Sequence, residues 1–114
     1  MTDLSIIIVS YNTKEMTLRC LESLEQCNNV TMQQCEIIVV DNGSTDGSIG
    51  EIGKIGGISK AFLRIRIIEN KQNLGFSIAN NFGIRECSGK FALLLNSDTV
   101  VFPETLASMI QFME

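Results

Sequence analysis

Residues 4–12 read LSIIIVSYN, an almost unbroken run of apolar, mostly β-branched residues followed by polar ones. A run of this length is too short to span a membrane. It is typical of a strand buried on both faces of a parallel sheet, because crossover helices cover each face. We therefore predict a strand at Leu4–Val9. The residues that end it, Ser10-Tyr11-Asn12, place polar side chains at one edge of the sheet.

A helix is predicted directly after this strand and extends to about Cys27. Leucines recur at every third position between residues 18 and 24, which puts them on the helix face that packs on the sheet. Asn12 is predicted to cap the helix, with Glu15 three residues later completing a capping-box pattern. The chain therefore begins with a strand–helix pair.

Three further strand–helix pairs follow. The predicted strands are Glu36–Val40, Phe62–Glu69 and Phe91–Leu95, and the predicted helices are Ile49–Lys60, Phe76–Cys87 and Pro103–Phe112. The third strand alternates arginine with apolar residues and is expected to be half exposed at a sheet edge, whereas the fourth is expected to be buried. The second helix contains four glycines, each costing about 1 kcal/mol relative to alanine, so we expect a short helix or a partly ordered loop.

This order predicts one α/β domain over residues 1–114. Right-handed crossovers make its sheet mostly parallel, with flanking helices and with the carboxyl ends of the strands on one side.

Composition and charge exclude several classes of protein. The net charge is -4 and the only basic cluster is Arg64 with Arg66, so nucleic acid is not an expected partner. The chain has no histidine, and its cysteines (20, 27, 35 and 87) form no C-x-x-C pair. A zinc site is therefore not expected, and the thiols are expected to pack as small apolar side chains. Unpaired thiols without a signal sequence favour a cytoplasmic protein without a transmembrane segment.

Three of the predicted strands end in polar residues. These ends are Ser10-Tyr11-Asn12, Asp41-Asn42 and Asn96-Ser97-Asp98. Open α/β sheets bind ligands outside the carboxyl ends of their strands, so a ligand site is predicted there. The first strand–helix turn lacks the G-x-G-x-x-G pattern and the chain has no Walker A loop, which argues against dinucleotide-binding and P-loop proteins.

Asp98 has two interpretations. A carboxylate projecting from the sheet edge suits Mg²⁺ or Mn²⁺, either of which would bridge to diphosphate oxygens and stabilise charge on a departing nucleoside diphosphate. Alternatively, Asp98 caps the following turn with Thr99.

Other residues near the same edge also have two interpretations each. Asp41 could accept a hydrogen bond from the imide N–H of uracil or thymine, or form a turn within its own loop. Tyr11 could stack on that base or pack under the loop. Asn73, Gly75 and Asn80 could order a ligand-facing loop, or form only the turn and the helix start.

Four motifs occur together in a specific order. They are LSIIIVSYN at Leu4–Asn12, IIVVDNGSTDGS at Ile37–Ser48, NLGFSIANNFGI at Asn73–Ile84 and LLLNSDTVV at Leu93–Val101. In this combination the chain resembles glycosyltransferase family 2 over almost its full length, and is most similar to the bacterial rhamnosyltransferase-like branch.

This resemblance implies a Rossmann-like GT-A fold and inverting transfer of a sugar from a nucleoside diphosphate, with UDP or dTDP as carrier. By motif, the implied donor-binding residues are Ser10, Tyr11, Asn12, Asp41, Gly75, Asn80, Asn96 and Ser97, and Asp98 is the implied ligand of Mn²⁺ or Mg²⁺. Many relatives have aspartate where this chain has Asn96, which removes a charge from the D-x-D-type triplet and weakens metal binding.

No residue matches the general base that the family carries in an acceptor-binding half. We therefore expect this chain to be a truncated donor-binding part, inactive alone. The full-length enzyme would act in polysaccharide or glycoconjugate synthesis at the inner face of the membrane. The alternatives are a non-catalytic nucleotide-sugar-binding module and a general α/β interaction domain. An uncovered sheet flank would favour a homodimer.

Overall fold

Strands and helices alternate strictly along the chain. The structure, a computed structural model, describes residues 2–27, 35–58 and 64–113, with only the backbone for residues 55–58. The elements are β1 (Leu4–Ser10), α1 (Lys14–Glu25), β2 (Cys35–Asn42), α2 (Ser48–Ile58), β3 (Arg64–Asn70), α3 (Phe76–Glu86), β4 (Phe91–Asn96) and α4 (Thr105–Met113). The predicted α/β order is confirmed, while the predicted boundaries at Lys60 and Phe62 lie outside the described residues.

The strands form one parallel sheet in the order β3-β2-β1-β4. Ile7 of β1, for example, pairs with Ile38 of β2 on one side and Leu94 of β4 on the other. The strand order reverses beside β1, because the chain builds outward to β3 and then returns to place β4 on the opposite side. Ligand clefts in open α/β sheets lie at such a reversal, outside the carboxyl ends of the strands.

Apolar side chains fill both faces of the sheet. The larger cluster includes Ile6 and Ile8 of β1, Leu21 and Leu24 of α1, and Leu106 of α4. The smaller cluster consists of Ile7, Ile38 and Val40 against Ala79 of α3. A Cβ built on Gly83 would lie 2.5 Å from Ile7 Cγ2, so α3 lies this close to β1 because residue 83 has no side chain.

The cysteines pack as predicted. Cys20, Cys27 and Cys35 are buried, and Cys87 is half buried. Burial raises the pKa of the Cys20 thiol and of the Cys35 thiol to about 11. Because the thiolate is the reactive form, these two side chains act as apolar filling at neutral pH.

The start of α1 differs from the prediction. Asn12 does not cap the helix: it has a φ of 50°, and the N-cap position belongs to Thr13, which makes no side-chain cap bond. Instead, Asp46 Oδ2 accepts a hydrogen bond from Lys14 N at 3.1 Å. The capping-box pattern pairs residues that are close in the sequence, whereas the Asp46 carboxylate belongs to the loop after β2.

The prediction of a buried fourth strand is wrong. β3 is half exposed at one edge, as predicted, but β4 forms the other edge of the described sheet and alternates half-buried with exposed residues. Leu94 is 49% exposed. The apolar run from residue 91 to 95 indicated burial on both faces, whereas α3 packs over β1 and β2 instead.

A buried carboxylate joins three elements at the amino end of the sheet. Glu36 Oε2 accepts hydrogen bonds from Ser5 Oγ at 2.6 Å and from both N and Oγ of Ser88 at 2.7 Å, while Arg66 Nη2 lies 3.3 Å from Oε1. Burial alone would raise the pKa of Glu36, but these hydrogen bonds and the arginine lower it overall. The turn before β4 is thereby tied to β1 and β2.

Candidate functional site

A cleft of about 370 Å³ opens at the carboxyl ends of β1, β2 and β4. Its lining residues are Val9, Tyr11, Thr13, Met16, Asn42, Asn73, Phe76, Asn96, Ser97 and Asp98. The predicted residues Tyr11, Asn96, Ser97 and Asp98 therefore line the same cleft, which agrees with the position expected from the strand order. Five other predicted residues do not line the cleft, namely Ser10, Asn12, Asp41, Gly75 and Asn80.

The turn after β4 presents Asp98 to the cleft. Thr99 N donates to Asn96 O at 3.1 Å, so a backbone bond closes the turn. Asp98 is exposed and lines the cleft, and the alternative interpretation of this side chain as a turn cap is not needed for this closure. The carboxylate is therefore placed where a ligand in the cleft could meet it.

Four hydroxyl groups connect this turn to the start of α1. Ser10 Oγ lies 3.0 Å from Thr17 Oγ1, and Thr13 Oγ1 lies 3.1 Å from the same atom. Thr13 Oγ1 also donates to Ser97 Oγ at 3.4 Å. Ser10 is fully buried, so its hydroxyl supports the wall of the cleft from below.

Asp41 lies beneath the loop that follows β2. Its side chain is fully buried, and Oδ2 accepts a hydrogen bond from Ser44 N at 2.9 Å, which is a turn within its own loop. Among the described residues, the buried Oδ1 atom has no hydrogen-bonding partner. A buried acceptor without a partner carries a desolvation cost that a donor on a ligand would relieve.

The loops after β1 and β2 are joined to each other. Asn12 Oδ1 accepts from Thr45 N at 2.8 Å, and Asn12 N donates to Ser44 Oγ at 2.9 Å. Hydrogen bonds from the Ser48 side chain, and also from Lys14 N, lower the pKa of Asp46. Asn12 thus holds the two loops together at the rim rather than facing the cleft.

The loop between β3 and α3 forms the opposite wall. Asn42 Nδ2 donates to Asn73 Oδ1 at 3.1 Å and to Gly75 O at 3.3 Å. Gly75 has a φ of 87°, a conformation that glycine adopts without steric cost. It leads into Phe76, which lines the cleft and is 57% exposed.

Asn80 is held within α3. It is 5% exposed, and its Nδ2 donates to Phe76 O at 3.2 Å. Its position steadies the first turn of the helix whose first residue, Phe76, lines the cleft.

Sequence reasoning missed several residues of the cleft. Val9, Thr13 and Met16 were not predicted because each lies in or beside an element that the apolar pattern assigned to packing. Asn42 and Phe76 lie inside two of the quoted motifs, and that position was the available signal.

Divalent-cation binding can be tested against the residues of the cleft. In the described part of the chain, no three His, Cys, Asp or Glu residues form a group that could hold a metal ion. Asp98 is the carboxylate in the cleft wall. Mg²⁺ is commonly bound by one or two carboxylates together with substrate phosphates, so the wall fits a cation that is shared with a diphosphate.

No helix in the described ranges is both long and apolar enough to cross a membrane.

Comparison with known proteins identifies relatives of the whole chain. The model of the family described as "Glycosyl transferase family 2" matches residues 5–114. An uncharacterized glycosyltransferase of Haemophilus influenzae is 33% identical over 110 residues, which are 96% of this chain and 32% of the relative. Glycosyltransferase GlyG of Streptococcus pneumoniae is 30% identical over 112 residues, covering 95% of this chain and 34% of that protein. The chain thus spans about a third of the length of these relatives.

Solved structures share the fold. S. aureus TarS, residues 1-349 in complex with UDP-GlcNAc, superposes with a TM-score of 0.86 and 25% identity over 97% of this chain and 31% of that one. The mannosyltransferase PcManGT of Pyrobaculum calidifontis, in complex with GDP-Man and Mn²⁺, has a TM-score of 0.88 at 20% identity, covering 96% of this chain and 32% of that one. The parallel sheet with its flanking helices is therefore the Rossmann-like part of a GT-A fold.

Proposed function

Because this chain belongs to glycosyltransferase family 2, we propose that it is the donor-binding part of an inverting enzyme that transfers a sugar from a nucleoside diphosphate. The observation that carries this proposal is the cleft at the reversal of strand order, where Asn96, Ser97 and Asp98 face Asn42, Asn73 and Phe76. The two relatives described above are about three times as long as this chain. Most of each relative therefore lies outside the part that this chain matches.

We place the diphosphate beside the turn after β4. Asp98 and the amide of Asn96 lie there, and a carboxylate repels a diphosphate unless a cation lies between them. Mg²⁺ and Mn²⁺ both accept this oxygen-rich arrangement, and the bound cation would offset charge on the departing nucleoside diphosphate. Asn96 carries no charge, so Asp98 is the anionic ligand that the triplet supplies.

We place the nucleoside towards the end of β2. Tyr11, Met16 and Phe76 offer exposed apolar surface in the cleft, and such surface suits the stacking of a base. UDP or dTDP is the proposed carrier. The complex of TarS with UDP-GlcNAc, a structural relative at 25% identity, supports a nucleoside-diphosphate sugar as the ligand.

Asp41 is the proposed acceptor for the base. Its Oδ1 atom has no described partner, and the imide N–H of uracil or thymine is a donor of the required kind. This atom is buried and Asp41 does not line the cleft, so the proposed bond requires a local rearrangement when the base binds. Ser10, Asn12, Gly75 and Asn80 then contribute by holding the walls and the rim.

Catalysis requires a general base close to the acceptor hydroxyl. We assign no described residue to that role, and we expect this chain alone to bind donor without transferring sugar. The complete enzyme would act in polysaccharide or glycoconjugate synthesis, in the cytoplasm or at the inner face of the membrane.

Self-association is a further part of the proposal. Leu94 on the edge strand β4 is 49% exposed, and Phe102 and Phe112 are 72% and 90% exposed. Exposed apolar side chains and an unpaired strand edge each favour association, and we propose a homodimer as the state of this chain in solution. Light scattering coupled to gel filtration measures the mass directly, and a monomer at high concentration would refute this.

Calorimetric titration tests the donor site. We expect UDP to bind more tightly with Mn²⁺ than with EDTA, and AMP to bind weakly under both conditions. The absence of UDP binding at millimolar concentration, by protein whose far-UV spectrum reports intact helices and strands, would refute the proposal.

A further inference from the structure

The side-chain amide of Asn42 makes four hydrogen bonds inside the protein. Nδ2 donates to Asn73 Oδ1 at 3.1 Å and to Gly75 O at 3.3 Å. Oδ1 accepts from Asn70 Nδ2 at 3.1 Å and from Leu74 N at 3.2 Å. Asn42 is 2% exposed, so these bonds are largely shielded from water.

The two backbone partners determine how this amide is oriented. Leu74 N can only donate and Gly75 O can only accept, so the oxygen of Asn42 must face the former and its nitrogen the latter. An asparagine amide offers two donors and two acceptor lone pairs, and here every one has a partner. Asn42 therefore lines the cleft without a remaining hydrogen bond for a ligand.

The segment held by Asn42 is short and forms a wall of the cleft. It runs from Asn73 to Gly75, and Gly75 N also donates to Asn73 Oδ1 at 2.9 Å. A Cβ on Gly43 would lie 3.0 Å from the Cα of Gln72, so the two loops are in direct backbone contact beside the amide. Asn73 and the adjacent Phe76 both line the cleft.

We propose that Asn42 is a positioning residue for donor binding, which acts by holding residues 73–75 and thereby Phe76 against the cleft. This inference rests on the proposed donor site. In this proposal, Asn42 acts on donor binding through the β3–α3 loop and makes no direct bond to the nucleotide.

The matched substitutions are Asn42→Asp and Asn81→Asp. Both replace an amide by a carboxylate and add one negative charge, but Asn81 is exposed on α3. In Asn42→Asp, a carboxylate oxygen replaces Nδ2 and faces the side-chain oxygen Oδ1 of Asn73 and the backbone oxygen of Gly75. Facing acceptors repel each other, so the loop should move away from β2.

Two readouts separate positioning from general stability. Hydrogen exchange at the amides of Leu74 and Gly75 should accelerate at least tenfold in Asn42→Asp, while β1 amides keep the wild-type rate. UDP affinity in the presence of Mn²⁺ should fall at least tenfold in the same variant. Asn81→Asp should match the wild type in both measurements.

Each outcome has a distinct meaning. Unchanged exchange at Leu74 and Gly75 would overturn the inference whatever the ligand. Faster exchange with full UDP affinity would also overturn it, because the loop would then not shape the donor site. A wild-type protein that fails to bind UDP would instead refute the proposed donor site, and exchange alone would still test the hold of Asn42 on the loop.

A second variant covers the case in which Asn42→Asp does not fold. Asn73→Ala changes an exposed side chain and removes the acceptor that Asn42 Nδ2 and Gly75 N share. Leu74 N keeps its acceptor, Asn42 Oδ1, in this variant, so faster exchange at Leu74, with UDP affinity several-fold lower, is the result expected if Asn42 holds the segment. Unchanged exchange at the Leu74 amide would overturn the inference here too.

Discussion

Replacing Glu36 by glutamine tests whether the buried carboxylate at the amino end of the sheet stabilises the fold. The carboxylate accepts three hydrogen bonds on Oε2, from Ser5 and Ser88, and meets Arg66 at Oε1. In Glu36→Gln, the remaining oxygen can keep the three bonds, but they become neutral, and the amide nitrogen then faces Arg66.

The structure provides the magnitude. A hydrogen bond to a charged group contributes about 1.5–3 kcal/mol and a neutral one about 0.5–1.5 kcal/mol, so each of the three bonds loses roughly 1 kcal/mol. Arg66 is 48% exposed, and loss of its pairing adds little because water solvates it. We expect the free energy of unfolding to fall by about 2–4 kcal/mol, with Tm lower by roughly 8–16 °C for a domain near this size.

Urea unfolding followed by far-UV circular dichroism at pH 7 measures this change, read as a lower midpoint with an unchanged slope. The matched control is Glu86→Gln. Glu86 meets the same arginine at 3.9 Å but is 57% exposed, so the control should change stability by less than about 0.5 kcal/mol. A Glu36→Gln variant as stable as the control would refute the reasoning.

The pH dependence gives an independent check of the same group. The pKa of Glu36 in the folded chain lies below its ordinary value of 4.5, so folding favours the charged form. This contribution is complete above the unfolded pKa and is lost as the pH falls through the lower folded value. The stability gap between wild type and Glu36→Gln should therefore narrow between about pH 6 and pH 3. A difference in stability that does not change with pH would exclude the charge of Glu36 as its cause.

Four further substitutions test packing and the proposed site. Gly83→Ala should destabilise the fold by about 1–2 kcal/mol in urea unfolding, because the new Cβ meets Ile7 Cγ2 at 2.5 Å and the overpacking exceeds the gain in helix propensity. Gly50→Ala in α2 has nothing within 4 Å and should be neutral or stabilising by up to about 1 kcal/mol, and equal effects of the two would contradict the close approach of α3. Asp98→Ala should abolish the Mn²⁺-dependent part of UDP affinity in calorimetry while Tm hardly changes, whereas a large drop in Tm with intact Mn²⁺ dependence would support a role in the turn. Asp41→Asn should weaken UDP at least tenfold but not CDP, whose base has no imide N–H; equal losses for both nucleotides would exclude Asp41 as the acceptor for the base.

Local pattern was sufficient for the elements of this protein. The apolar run at Leu4–Val9 and the leucine stripe after it have periods that suit one kind of element each, so the strand and the helix follow from the residues alone. The polar residues at the strand ends predicted a ligand edge for the same reason, because parallel strands gather their carboxyl ends on one side. The turn containing Asp98 was placed in the cleft on these grounds.

Partners distant in the sequence account for the errors. Asp46 accepts a hydrogen bond at the start of α1, where Asn12 was expected to be the cap. Asp46 and Asn12 are more than thirty positions apart in the sequence. β4 is half exposed because α3 covers β1 and β2, which no pattern within β4 can express.

The amino-acid sequence by itself determined which segments are strands and helices, and that polar groups end the strands, since both depend on side-chain periodicity over a few residues. Only the tertiary structure decided the order β3-β2-β1-β4 and hence which strand ends form the cleft. It likewise decided that Asp41 is buried while Asn42 holds the β3–α3 loop. Adjacent residues on a strand point to opposite faces, and what each one meets depends on the chain that packs there.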